Sequence, residues 1–318
     1  MANELIIDYN SSGERIALLR DKKLVELHIE NSGSNFSVGD FYIGVVKKFK
    51  QELNAAFVDV GYHKDAFLHY HDLGPNIRSL NKLTRAAMQG GMDSGDLNGF
   101  TLEQETLKTG RINNTLKKGQ KVLVQISKEP ISSKGPRLST EISIAGKYFI
   151  FVPFIDTVSV SKKIEDREER QRLKTLAISL KGVNFGLICR TAAVGQSAQE
   201  LHKDILELRE RWNTLIKNLK GAKAGQLVLG EGNRSQLVLR DLLSEKFNNI
   251  VTNDKDYYEE LKQYVMKLSP ELGKVLKLHK GRDSIFNAYG IDKQIKISFG
   301  KNVKMAGGTY LILEHTDS

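Results

Sequence analysis

The opening forty residues contain three apolar, strand-like segments and no helix. The segments at 5–7, 15–19 and 24–29 are separated by turn residues. Such a sheet must bury its faces against elements supplied from elsewhere in the chain. From about residue 226 onward, strand-like and helical segments alternate, which is typical of an α/β layer. We therefore predict that the opening strands join this later sheet and that the residues between them are inserted.

The first part of the insertion reads as a small barrel. Short apolar strands are predicted at 42–46, 55–60, 66–68 and 122–126, and a long excursion covers 76–119. The centre of the excursion, QGGMDSGDLNG, is predicted to be a flexible loop. Short strands with one long excursion are typical of an OB fold.

The pattern changes to mixed α and β after Gly146. KYFIFVPFI and FGLICRT are predicted as buried strands, and DREERQRLKTLAISL between them as a helix. A second helix begins at Ser197, where Glu200 completes a capping box. Its apolar residues recur at helical spacing and are predicted to form core: Leu201, Ile205, Leu208, Trp212, Leu215 and Leu219.

The charge balance favours a polyanionic partner. Forty-eight Lys and Arg residues against 38 Asp and Glu residues give a net charge of +10. RNA, DNA and an anionic membrane all remain open on charge alone, as do scattered solvating lysines. The single cysteine, Cys189, excludes a disulfide framework within one chain and is interpreted as an inert, packed thiol. A reducing, cytoplasmic setting fits best. The opening residues show no signal peptide, and the longest apolar stretch, 148–155, is too short to span a bilayer.

Two phenylalanines are predicted to face outward from the barrel. Period-two alternation places Phe57 and Val58 on different faces of their strand, and it separates Phe67 from Leu68 in the same way. Exposed rings on a small barrel form a stacking platform that contributes about 1–3 kcal/mol per stacked base. The alternative is that the excursion at 76–119 covers one or both rings.

A basic loop follows the last barrel strand. KEPISSKGPR places Lys128, Lys134 and Arg137 around two prolines and a glycine. A rigid basic loop suits phosphate contacts, which position a strand without reading its sequence. An ordinary solvated loop explains the segment equally well when it is taken alone.

The segment GLICRTAAVGQS has the composition of an anion site. Arg190 and Thr191 follow a buried strand and precede the capped helix. Arginine offers a two-pronged contact to phosphate oxygens, threonine adds a hydroxyl, and loop N–H groups can complete the pocket. The plainer alternative is a surface arginine at a strand end. His63, His69 and His71 have no third metal ligand at suitable spacing and are interpreted as surface residues.

Several segments, taken in order, resemble the ribonuclease E/G family. They cover essentially the whole chain: NAAFVDVGYHKDAFL, KGQKVLVQISKE with KGPRLST, AGKYFIFVP, SVSKKIED, GLICRTAAVGQS and GGTYLILEHTD. The resemblance implies Mg²⁺-dependent endonucleolytic cleavage of single-stranded RNA, stimulated by a 5′-monophosphate, in cytoplasmic RNA processing and decay. It implies a homo-oligomer for the complete enzyme and no membrane partner.

The resemblance also implies a mixed α+β, multidomain architecture. A discontinuous RNase H-like α/β subdomain holds an inserted OB-fold barrel and an α/β 5′-sensor domain. The implied boundaries are 1–36 and 225–295 for the RNase H-like subdomain, 37–141 for the OB fold, 142–224 for the sensor, and 296–318 for the start of a nuclease subdomain.

Residues that match the family's motifs give two sets of site residues. The RNA contacts on the barrel are Phe57, Phe67, Lys128, Lys134 and Arg137. The 5′-phosphate pocket comprises Arg190, Thr191, Gly146, Ile150 and Lys162. Lys162 and Lys163 stand where relatives usually carry arginine, and lysine lacks the planar fork of that side chain.

The family's magnesium-binding aspartates and zinc-linking cysteines lie beyond the position that matches Thr316. We therefore expect no catalytic residue and no metal ligand in this chain, which would bind RNA without cutting it, because cleavage of this type needs carboxylates that fix a metal. A non-catalytic OB-fold RNA-binding protein is the alternative. A membrane-surface or scaffolding protein is a third hypothesis, against which the lack of a basic amphipathic helix counts.

Overall fold

The structure is a computed structural model that describes residues 3–31, 36–92, 94–242, 247–268, 270–298, 300, 302–305, 307–312 and 314. The strands are β1 (Asn3–Asn10), β2 (Gly13–Arg20), β3 (Lys23–Asn31), β4 (Phe41–Lys50), β5 (Ala55–Asp59), β6 (Ala66–His69), β7 (Lys121–Lys128), β8 (Arg137–Ser139), β9 (Ile144–Ala145), β10 (Phe149–Pro153), β11 (Val158–Val160), β12 (Phe185–Cys189), β13 (Leu227–Leu229), β14 (Phe247–Thr252), β15 (Leu276–Leu278), β16 (Asn302–Lys304) and β17 (Tyr310–Ile312). The helices are α1 (Ile77–Met88), α2 (Ile112–Thr115), α3 (Arg167–Leu180), α4 (Ala198–Leu219), α5 (Arg234–Leu242), α6 (Lys255–Leu268), α7 (Ile285–Ala288) and α8 (Ile291–Ser298).

The described chain divides into two compact units, Met1–Ser34 with Gly232–Ser318 and Asn35–Glu231. The first unit is built on a five-stranded sheet in the order β15-β14-β1-β2-β3. β1 pairs in parallel with β14, so that Leu5 lies beside Ile250. The prediction that the opening strands join a later sheet is confirmed.

Both faces of this sheet are covered, which explains the unbroken apolar run in β1. Leu5 and Ile7 pack with residues of α5 and α6, whereas Ile6 packs with residues of α7 and α8. Adjacent strand residues point to opposite faces, so a strand with helices on both sides must be apolar throughout.

The second unit contains a closed barrel of five strands. β4 pairs with β5 and β7, β5 with β6, and β8 with β6 and β7, which closes the ring. This mixed α+β structure with a closed five-stranded barrel is consistent with an OB-like fold. Strand β13 was predicted to open the later α/β layer, and that prediction is wrong: Leu227 and Leu229 pair with β4 at the barrel.

The excursion between β6 and β7 is not a loose loop. It contains α1, and its centre is bound to α4: the indole N–H of Trp212 donates to the carbonyl oxygen of Gly95 at 2.7 Å, and Leu97 is fully buried. The predicted loop at 89–99 is irregular backbone at its described positions, and contacts distant in sequence anchor it at Gly95 and Leu97.

A four-stranded sheet in the order β11-β12-β10-β9 follows the barrel. Its buried residues Phe149, Phe151, Leu187 and Cys189 belong to the same core as the apolar side of α4. The predicted helix-capping contact is present, since the Ser197 hydroxyl accepts the Glu200 backbone N–H at 3.2 Å. All six predicted core residues of α4 are buried, Trp212 among them.

Candidate nucleic-acid interface

Phe57 and Phe67 occupy directly opposite positions on β5 and β6. Their ring centroids are 5.9 Å apart and their planes meet at 74°. Both side chains are half-buried, whereas the neighbouring Val58 and Leu68 are fully buried in the barrel. The outward placement that the alternation predicted is confirmed.

The two rings lie in a groove of about 790 Å³ on the barrel surface. The groove is lined by five basic residues, two acidic ones and several neutral or apolar ones: Lys48, Lys64, Lys128, Lys134, Arg137, Asp65, Glu129, Leu53, Phe57, Phe67, Ile131, Ser133 and Gly135. None of these lining residues belongs to the excursion at 76–119. The alternative that the excursion covers the rings is therefore wrong for the described groove.

The lysines of the groove are available to a ligand. Lys128 and Lys134 are exposed and form no ion pair with any residue that the structure describes. The ammonium of Lys48 lies 5.0 Å from the centroid of Phe57, a cation–π distance. Aromatic faces and free ammonium groups therefore share one concave surface.

Arg137 is engaged within the protein. Its Nε donates to Asp72 at 2.9 Å and its Nη2 donates to the same carboxylate at 3.1 Å. A two-pronged pair of this kind fixes the planar guanidinium and uses the donors that a phosphate would take. Arg137 thus holds β8 to the turn after β6, and its predicted phosphate contact stays a prediction.

Gly135 lets the basic loop lie against β6. A Cβ atom at this position would run into the carbonyl oxygen of Asp65. The Phe67 N–H donates to the Pro136 carbonyl at 2.8 Å immediately beside it. This close backbone approach sets Lys134 next to the aromatic pair.

Arg190 continues the extended backbone of β12. Its N–H donates to the Tyr148 carbonyl at 2.8 Å, and its φ and ψ are −85° and 162°. Alternation therefore puts its side chain on the face of Ile188, which is 38% exposed, and not on the buried face of Cys189. Ile150 pairs with Ile188 and lies on the same open face.

The buried carboxylate of Asp204 shapes the turn before β10. It accepts the backbone N–H groups of Lys147, Tyr148 and Phe149, each at 2.9 Å. Burial raises the pKa of Asp204, and these N–H groups oppose that shift. A Cβ atom on Gly146 would lie 2.7 Å from the Asp204 oxygens, so only glycine fits there.

Arg190 contacts the same turn from the open face of the sheet. Its Nη1 donates to the Gly146 carbonyl at 2.6 Å. Thr191 follows as an exposed residue at the start of a 3₁₀ turn. The structure thus places Arg190 and Ile150 on the open face of the two inner strands, and Gly146 and Thr191 lie beside Arg190. Asp204 was not predicted from the sequence, although an acid within the apolar stripe of α4 was a signal for it.

Glu169 of α3 supports the turn that carries Thr191. Its carboxylate accepts the Gly195 N–H at 2.9 Å and two Arg172 donors at 2.6 and 2.7 Å. The hydrogen bonds from Arg172, together with that from Gly195, lower the pKa of Glu169 to about 2.

Lys162 lines a different groove. This groove, of about 510 Å³, lies between β11 and α3, and its other basic residues are Arg167, Arg170 and Lys174. Its lining includes neither Arg190 nor Thr191. Lys163 is exposed beside it. Val160 nevertheless pairs with Cys189, and the Ser161 N–H donates to the Cys189 carbonyl at 2.9 Å, so Lys162 follows β11 at the same end of the paired strands where Arg190 follows β12.

Metal-binding side chains do not gather in groups of three or more among the described residues. No group of three or more His, Cys, Asp or Glu side chains among them could hold a metal ion. Cys189 is buried, and desolvation raises the pKa of its thiol to about 11, consistent with an inert residue. Over the described ranges, no helix combines the length and apolar character needed to cross a membrane.

Comparison with known proteins gives a consistent result. The model of the Ribonuclease E/G family matches residues 143–318. Ribonuclease G of Haemophilus influenzae is 32% identical over 317 residues, and ribonuclease G of Escherichia coli K12 is 30% identical over 318. Both alignments cover 100% of this chain and 61% of the relative. Ribonuclease E of a Nostoc species is 29% identical over 95% of this chain and 40% of its own length. The chain thus spans about three fifths of the ribonuclease G proteins it matches.

Proposed function

The chain belongs to the ribonuclease E/G family, and from that premise we propose that it binds single-stranded RNA and senses a 5′-monophosphate. It does so as part of an endoribonuclease that acts in cytoplasmic RNA processing and decay.

The groove on the barrel carries this proposal. Phe57 and Phe67 are half-buried and line this groove together with Lys48, Lys128 and Lys134. Bases stack on aromatic rings whatever their identity, and lysines contact the backbone that links them. Such a surface selects unpaired strands, because the bases of a duplex are already stacked on one another.

The proposed 5′-sensor lies where β12, an inner strand of the four-stranded sheet, ends. Arg190 supplies charged donors, Thr191 supplies a hydroxyl, and the turn at Gly146 is held in shape by Asp204. A terminal phosphate carries more charge than an internal one, so a site with a guanidinium favours it. Ile150 and Lys162 remain proposed residues of this 5′-phosphate pocket. Lys162 also lines the groove beside α3.

We further propose the family's domain layout for this chain. Residues 1–36 and 225–295 form an RNase H-like subdomain, apart from β13, which pairs with the barrel. Residues 37–141 form the OB fold, 142–224 the sensor, and 296–318 the start of a nuclease subdomain. The complete enzyme is proposed to be a homo-oligomer.

Cleavage is proposed to need Mg²⁺ held by residues other than those described here. The described side chains bring no three carboxylate or imidazole groups together, and we propose that they bind RNA while other residues supply the metal site. A non-catalytic RNA-binding protein that acts by occupancy is the second candidate. Incubation of the 318-residue chain with single-stranded RNA and Mg²⁺ tests the proposal of binding without cutting, and specific cleavage would refute it.

Fluorescence anisotropy tests the binding function. A labelled unpaired RNA should bind more tightly than its duplex of the same sequence, and Phe57→Ala should weaken the unpaired complex about fivefold or more. Equal affinity for duplex and single strand, together with a silent Phe57→Ala, would refute the barrel as the RNA site.

A further inference from the structure

A row of four aromatic rings runs over the outside of the barrel. It begins with Phe57 and Phe67, whose centroids are 5.9 Å apart. The ring of His69 lies 6.4 Å from that of Phe67, with 26° between their planes. His71 follows at 5.0 Å from His69. From the sequence alone, both histidines are interpreted as ordinary surface residues.

The backbone places these rings on one side. Phe67 and His69 are two residues apart on β6 and therefore share its outer face. His71 lies in the 3₁₀ turn that follows, and its N–H donates to Nδ1 of His69 at 3.1 Å. The imidazole of His69 is thus held in place by the backbone.

The row leads into a second crevice. This crevice, of about 350 Å³, is lined by His71, Tyr70, the segment 73–75, the segment 106–108 and Glu141. The Tyr70 hydroxyl donates to the Leu107 carbonyl at 2.6 Å, which fixes one wall. Lys108 is exposed there and pairs with no acidic residue in the described part of the chain.

The acidic residue next to His71 is paired within the protein. Asp72 follows His71 directly, but both of its oxygens accept donors from Arg137. This pairing neutralises the acid that would otherwise repel a phosphate next to the row.

We propose that His69 and His71 are RNA-binding residues that extend the stacking platform from the groove at Phe57 to the crevice at Lys108. This inference rests on the proposed function of the barrel. Two phenyl rings stack about two bases, whereas one OB fold covers about 4–16 nucleotides. Imidazole rings also stack on unpaired bases, so the row supplies contacts for the additional nucleotides.

The test uses oligouridylates with a 5′-hydroxyl, about 4 and about 10 nucleotides long, chosen from the OB-fold range. His71→Ala should weaken the longer RNA about fivefold or more and leave the shorter one nearly unchanged. His71→Phe keeps a ring and should retain the native affinity. His202→Ala, an exposed histidine on α4, is the matched control and should bind both RNAs as the native protein does.

His69 requires two variants because its ring also accepts a hydrogen bond. His69→Asn keeps an acceptor and removes the ring, and it should weaken the longer RNA. His69→Phe keeps the ring and removes the acceptor, and it should not. The opposite ranking would show that His69 serves only to cap the turn.

Phe57→Ala separates this inference from the function on which it rests. If Phe57→Ala weakens the longer RNA while His71→Ala and His69→Asn do not, the extension to the histidines is wrong and the barrel site stands. If Phe57→Ala is silent as well, the proposed function fails and the inference fails with it.

Discussion

The rings of Phe57 and Phe67 lie edge to face across two paired strands, at a centroid distance of 5.9 Å. Both side chains are half-buried and line the groove on the barrel. We predict that Phe67→Ala weakens binding of single-stranded RNA by about 5- to 150-fold, the equivalent of one lost stacked base. Anisotropy titration measures the change. Ile178→Ala removes a similarly apolar, exposed side chain from α3 and should have no effect, and an equal loss in both variants would contradict the prediction.

Arg190 is predicted to determine the preference for a 5′-monophosphate. The native chain should bind a 5′-monophosphorylated RNA more tightly than its 5′-hydroxyl form. Arg190→Ala should remove that difference, because charge-assisted hydrogen bonds contribute about 1.5–3 kcal/mol, or roughly 10- to 150-fold. Arg190→Lys should restore only part of it, since lysine lacks the planar fork.

Lys162→Ala is the comparison for the Arg190 variants. Because Lys162 lines the α3 groove and its ammonium lacks the planar fork of a guanidinium, its loss should change the preference less than Arg190→Ala does. A larger effect at Lys162 would mean that the terminal phosphate occupies the α3 groove.

The contribution of Glu169 to stability is predicted to vanish at low pH. Its pKa is lowered from 4.5 to about 2 in the folded chain. A lowered pKa means that the pair with Arg172 stabilises the fold fully above about pH 4.5, and that this stabilisation is lost as the pH falls toward 2. The contribution is about 1 kcal/mol or less, because the Arg172 side chain is 38% exposed.

Thermal unfolding of the native chain and of Glu169→Gln, each at pH 7 and pH 3, measures this contribution. The difference between the two proteins should be present at pH 7 and smaller at pH 3. A difference that does not change with pH would show that Arg172 and Gly195 do not depend on the charge of Glu169.

Gly95→Ala is predicted to destabilise the second unit by about 1–3 kcal/mol. A Cβ atom at this position would enter the space of the Trp212 indole and lie 2.9 Å from Asn213 Oδ1. Trp212 is the single tryptophan of the chain, so its fluorescence during urea unfolding reports the effect directly. Asn98→Ala changes an exposed residue of the same segment and should leave the unfolding midpoint unchanged.

Local patterns predicted those features that depend on neighbouring residues. Alternation placed Phe57 and Phe67 outside the barrel, and helical spacing identified the core side of α4. The discontinuous sheet was also predictable, because the opening strands carry no helices to cover them. In each case the physical cause is a periodicity of two or of 3.6 residues that is visible in a short window.

Contacts between distant residues were not predictable in this way. The local sequence predicts that Arg137 is a cation available to phosphate, yet its guanidinium pairs with Asp72, which lies 65 residues earlier. The local sequence predicts a flexible loop in the excursion, yet the carbonyl of Gly95 accepts a hydrogen bond from Trp212, which lies 117 residues later. Strand β13 reads as part of an alternating α/β layer, but its pairing partner is β4. No short window of sequence contains both members of any of these pairs.

The parallel pairing of β1 with β14 has a consequence for the order of folding. Asn249 donates a hydrogen bond to Glu4, which was made 245 residues earlier. During synthesis the hairpin of β1 and β2 therefore cannot complete its sheet until β14 (Phe247–Thr252) has emerged, whereas β4 to β8 of the barrel emerge well before then. Such a high contact order slows folding and leaves the hairpin edge exposed in the meantime.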